Sequence, residues 1–117
     1  MISHLVYPTP HLIYTQISKN CVEHMCKLVK TNLVTEEGYQ LCIKTLHLLL
    51  ISTAHSLPTK TFEKAVDIAT EITKRSNMMD ALQYCSECIL IFTEQGMYMP
   101  TYIHTYMHAH LIIDATN

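Results

Sequence analysis

The sequence predicts an all-α fold, a compact antiparallel bundle of about five helices around one central apolar helix. Three observations predict it. Apolar residues recur at three- and four-residue spacing through almost the whole chain. The four prolines fall near the ends of those stretches, where a helix tolerates them. Only two glycines, Gly38 and Gly96, occur in 117 residues, which favours helices over Gly-rich turns between strands. The length fits a single domain with a real core.

Residues 1–9 read as an extended lead-in, because Pro8 and Pro10 disfavour helical geometry at Tyr7 and Thr9. The first helix is expected over 10–30, with Pro10 at the first helical position and Thr9 as its cap. Ile13, Ile17, Cys21, Met25 and Leu28 form its apolar stripe, thickened by Leu12, Val22 and Val29. Gln16, Lys19, Glu23, Lys27 and Lys30 form the wet side, with Glu23 and Lys27 at the favourable four-residue spacing.

The second helix, 35–56, sets the expected architecture. Thr35 can cap it, and Glu36 and Glu37 suit the positive end of its dipole. Tyr39, Cys42, Ile43, Leu46, Leu49 and Leu50 make the main stripe, closed by Thr53. Leu41, Leu48 and Ile51 fall off that stripe, so the second half is apolar nearly all round. A core helix and an exposed partner-binding helix both produce this pattern. The core reading makes it the centre of the bundle. His47, Ser52 and His55 interrupt it too often for a membrane span of ~20 apolar residues.

The third helix, 59–75, follows Pro58, with Thr59 as cap and Phe62, Ala65, Val66, Ala69 and Ile72 inward. Its outer carboxylates Glu63, Asp67 and Glu71 sit among Lys60, Lys64, Lys74 and Arg75, a solvated mixed face. The fourth, 78–95, takes Ser76 or Asn77 as cap and turns Ala81, Cys85, Cys88, Ile89 and Phe92 inward. Gly96 supplies its left-handed stop. The fifth, 100–115, is apolar over most of its circumference and follows an oddly apolar loop. Met97, Tyr98, Met99, Tyr102, Tyr106 and Ile112 are therefore the expected partner-binding or self-association surface.

Composition narrows the function classes. Charged residues make up 15% of the chain and apolar ones 49%, more oily surface than five short helices easily hide. The net charge of −2 gives no basic footprint for nucleic acid. Two glycines cannot build a phosphate loop, a dinucleotide fingerprint or a nucleophile elbow. Five cysteines and no leader-like start suggest reduced thiols in the cytoplasm or nucleus. The expected protein is not an enzyme and needs no cofactor.

Two constellations could carry metal chemistry. Cys85 and Cys88 form a C-x-x-C that Cys21 and Cys26, with His24 nearby, could complete as a zinc site. The competing reading makes Cys85 and Cys88 small hydrophobes of the inward stripe, with no metal bound. His104 and His108 share one helical face, without the acidic partner of an H-E-x-x-H site.

The segment Ala65–Cys88 resembles one tetratricopeptide-type helical hairpin. Ala65, Ile68, Ala69 and Ile72 fall on the first-helix positions, and Ala81, Cys85 and Cys88 on the second. The family's bulky opening position is Ala65 here and its closing proline position is Thr93. No second copy appears at the ~34-residue period. The resemblance implies peptide binding and complex assembly. In size and in its oily central helix the chain is also similar to Bcl-2-like groove proteins, including short viral ones. Their Asn-Trp-Gly-Arg signature is absent, and the chain has no Trp. The leading expectation is a protein–protein interaction or adaptor module that binds a partner helix or forms a homodimer. The alternatives are a groove-type regulator that captures amphipathic helices and, third, a nucleic-acid-binding helical module.

Overall fold

Helix 1, α1 (Pro10–Val29), starts on the proline, as its fixed φ and missing N–H favour. Three more helices follow: α2 (Glu36–Thr53), α3 (Thr59–Arg75) and α4 (Met79–Glu94). The computed structural model describes residues 10–53 and 56–96. No strand occurs among them. The lead-in 1–9, the segment 100–115 expected as a fifth helix, and His104 and His108 lie outside the described residues.

The helix ends show which local signals operate. The Thr35 hydroxyl accepts from Gly38 N–H at 3.1 Å and caps α2. Thr59 does not cap α3: Pro58 stands at the cap in extended geometry, and its carbonyl accepts from Phe62 N–H. Neither Ser76 nor Asn77 is the cap residue of α4, a place taken by Met78. Ser76 is instead a buried junction. Its N–H closes α3 on Ile72 O, while its hydroxyl accepts from Met78 N–H at 3.2 Å and donates to the Glu36 carboxylate at 2.8 Å. Gly96, at φ 76°, takes the left-handed conformation that ends α4.

Successive helices are antiparallel, but the closest packing is between parallel ones. Thr15 meets Ser56 just before α3, Glu23 pairs with Lys64 at 3.7 Å, and Arg75 donates to Val29 O and Thr31 O at 3.0 Å. These links climb both helices together, so α1 and α3 run parallel. The links Glu36–Ser76, Gln40–Asp80 and His47–Glu87 show the same for α2 and α4. Within the second hairpin, Phe62 meets Phe92 edge to face, and the Cys85 thiol donates to Ala69 O at 3.8 Å. The chain is thus two helical hairpins, α1–α2 and α3–α4, stacked one on the other. α1 and α3 form one layer, and α2 and α4 the other. α2 also reaches α3 across the middle, while α1 and α4 do not touch.

The buried positions repeat between the hairpins. Ser18, Val22, Met25, Cys26 and Val29 on α1 correspond at one constant offset to Thr61, Ala65, Ile68, Ala69 and Ile72 on α3. At that offset Tyr39, Cys42 and Leu46 on α2 correspond to Leu82, Cys85 and Ile89 on α4. The spacing exceeds the ~34 residues of a tetratricopeptide period.

Two expectations are corrected here. The buried face of α1 is rotated from the predicted stripe. Ile13, Ile17 and Leu28 are exposed, whereas Ser18 and Cys26 are buried. Packing of Val22, Met25, Cys26 and Val29 into the shared core fixes that face, and at its rim Glu23 bonds Lys64 rather than Lys27, and Lys30 pairs with Asp67. α2 is not surrounded by the other helices either. Its stripe Tyr39, Cys42, Ile43, Leu46, Leu50 and Thr53 is buried, but Leu41, Leu48 and Ile51 are 66%, 57% and 61% exposed. Among the described residues, α2 stands at the edge of a two-layer stack with one covered side, and its second oily row is left exposed.

Candidate partner-binding groove

α2 and α4 lie side by side and enclose an open groove of about 690 Å³. Because they are parallel, their side chains pair at equal steps. Gln40 donates to the Asp80 carboxylate at 3.4 Å, and one heptad further along His47 lies 3.2 Å from the Glu87 carboxylate. The His47 ring also packs on Tyr84 at 5.6 Å between centroids, tilted by 54°. This cluster clasps the two helices at the floor. Lys44, Leu48 and Ile51 line the α2 side, and Asp80, Gln83 and Glu87 the α4 side.

The exposed row continues this wall. Leu41, Leu48 and Ile51 follow three- and four-residue steps through Lys44, so they share one face of α2. Leu90, 62% exposed, stands about one turn beyond Glu87 on α4. Covering the exposed part of one such side chain contributes about 1–2 kcal/mol, so a ligand laid along the row gains a useful apolar term. No serine or cysteine nucleophile lines the groove beside His47. What it offers is shape, an oily wall and carboxylates.

The predicted partner-binding residues Met97, Tyr98, Met99, Tyr102, Tyr106 and Ile112 lie outside the described residues. The row on α2 was signalled in the sequence by Leu41, Leu48 and Ile51 falling off the main stripe. The sequence named the main stripe that the fold buries; what it did not indicate was that the second oily side stays exposed.

The structure does not assemble the candidate zinc set. Cys85 and Cys88 are buried on α4, whereas Cys21 and Cys26 stand on α1, the one helix that α4 does not touch. All five cysteines are free thiols. Among the described residues, no group of three or more His, Cys, Asp or Glu could hold a metal ion. Burial pushes the Cys85 thiol up to about 12 and raises Cys88 as well, with Cys85 and Glu87 adding to the Cys88 shift. Cys42 is also raised, first by burial and then by neighbouring Cys21. Thiols held protonated in this way are poor ligands and poor nucleophiles.

Among the described residues, no helix is long and apolar enough to cross a membrane. Comparison with protein-family models, curated proteins and solved structures returns no match.

Proposed function

We propose that this chain is a non-enzymatic protein–protein interaction module, of the adaptor kind, that holds an amphipathic helix of an intracellular partner along α2 and α4. The observation that carries this reading is the exposed row Leu41, Leu48 and Ile51 beside an open groove. An apolar row at helical spacing next to a concave wall matches the helix-in-groove mode of recognition. Stacked helical hairpins are a common scaffold for such surfaces, since the stack keeps neighbouring helices rigid. The buried thiols and the absence of a nucleophile in the groove lining give an enzyme no support.

The test is a titration of labelled amphipathic peptides of about 18 residues into the full chain, followed by fluorescence anisotropy. At least one binds with a Kd near or below ~10 μM, and the double change Leu48→Gln with Ile51→Gln weakens it at least tenfold while the circular dichroism spectrum is unchanged. Binding that ignores this double change rules the groove out.

A further inference from the structure

The fold sorts charge by layer. Of the eight Lys and Arg residues, only Lys44 lies on α2 or α4. Those two helices carry five carboxylates, Glu36, Glu37, Asp80, Glu87 and Glu94. The overall charge of −2 conceals this split, because the other seven cations belong to the α1 and α3 side. In the groove, the Asp80 carboxylate is met by the neutral amide of Gln40, and the Glu87 carboxylate by the His47 ring. Neither is held by a Lys or Arg, and Lys44, the one cation in the groove lining, pairs with neither of them.

The two carboxylates also fall in register with the oily row. Asp80 is level with Gln40, the residue before Leu41, and Glu87 is level with His47, the residue before Leu48. The groove therefore has two rungs. Each has a carboxylate on the α4 side, and they stand about 10.5 Å apart, two helical turns; Leu48 lines the groove at the second, while Leu41 lies on the same face of α2 just outside the lining at the first.

We infer that the groove's occupant is a cationic amphipathic helix, with large apolar residues one heptad apart and Lys or Arg, also one heptad apart, on the flank that meets α4. The inference rests on the interaction reading above and specifies its partner. A helix of this kind lays its apolar side chains along the exposed row of α2 and brings a cation to the carboxylates of Asp80 and Glu87 on α4.

Two designed peptides of equal length and equal apolar heptads test it, one with Lys at the flanking positions and one with Glu. Binding to the full chain is read by fluorescence anisotropy at 20 mM and 200 mM salt. The Lys peptide binds at least tenfold more tightly at low salt, and the preference shrinks at high salt as screening predicts. Asp80→Asn removes part of the preference, and Asp80→Asn with Glu87→Gln removes most of it. Leu48→Gln with Ile51→Gln weakens both peptides. Equal binding of the two peptides, still dependent on Leu48 and Ile51, overturns the inference and leaves the interaction reading standing. Binding of neither peptide overturns both. A concentration-dependent dimer that Leu48→Gln with Ile51→Gln dissolves assigns the groove to a second copy and overturns the cationic helix.

Discussion

Leu46 and Leu48 stand two residues apart on α2, share one chemistry, and differ almost completely in surroundings. Leu46 is fully buried, whereas Leu48 is 57% exposed. Leu46→Ala removes its transfer energy and leaves a cavity, a cost of about 2.7–5 kcal/mol for such sites. For a chain of this size that lowers Tm by roughly 10–20 °C, at about 4 °C per kcal/mol. Leu48→Ala loses less than half of a leucine's burial and gains slightly from alanine's better helix propensity, so its cost is below about 1 kcal/mol. Thermal melts by circular dichroism give the two Tm shifts, and urea titrations with an unchanged m-value confirm that each reports stability. Equal losses at the two positions would refute the two-sided description of α2. They would mean that the second oily row is covered after all.

Four further predictions concern the buried thiols and the polar groups at the helix junctions. With its thiol pushed up to about 12, Cys85 has roughly one thiolate in 10⁴ at pH 8, against about one in ten at the ordinary 9.0. Cys85 and Cys88 therefore resist alkylation in the native chain and react fully in urea, as mass spectrometry can count. The raised value also makes stability pH-dependent. The contribution of the protonated thiol is complete below pH 9 and is lost as pH climbs towards 12, so Cys85→Ala flattens the fall of Tm above pH 9. Ser76→Ala removes the bond to Glu36 and the one from Met78 N–H at a buried site, and costs about 1–3 kcal/mol in urea unfolding. Arg75→Lys loses the two-carbonyl contact to the end of α1, and faster amide hydrogen exchange around Leu28–Thr31 reads that fraying.

The helices were legible in the sequence because local rules decided them. Pro10, Thr35 and Gly96 act at the positions where their backbone preferences place them. The spacing of Phe62, Ala65, Ala69 and Ile72 identified the face of α3. The face of α1 was not legible, because it carries two overlapping apolar stripes, and packing against the other helices selects between them. Nor was the stacking. Its equivalent positions hold different residue types, such as Ser18 and Thr61 or Met25 and Ile68, and reveal themselves only through burial. Ser76 looked like a cap because serine often is one, yet its hydroxyl is drawn to Glu36, a long-range partner that the sequence does not indicate. The groove was half legible: its leucines were visible, while the carboxylates facing them come from a helix forty residues away.

The account depends most on the second row of α2 standing open to solvent until a ligand covers it. Methyl-resolved NMR of the full chain with a soluble paramagnetic chelate measures this directly. The methyls of Leu41, Leu48 and Ile51 should relax rapidly, and those of Ile43, Leu46 and Leu50 should be shielded. Leu48 and Ile51 signals as protected as that of Leu46 in the free chain would contradict the account.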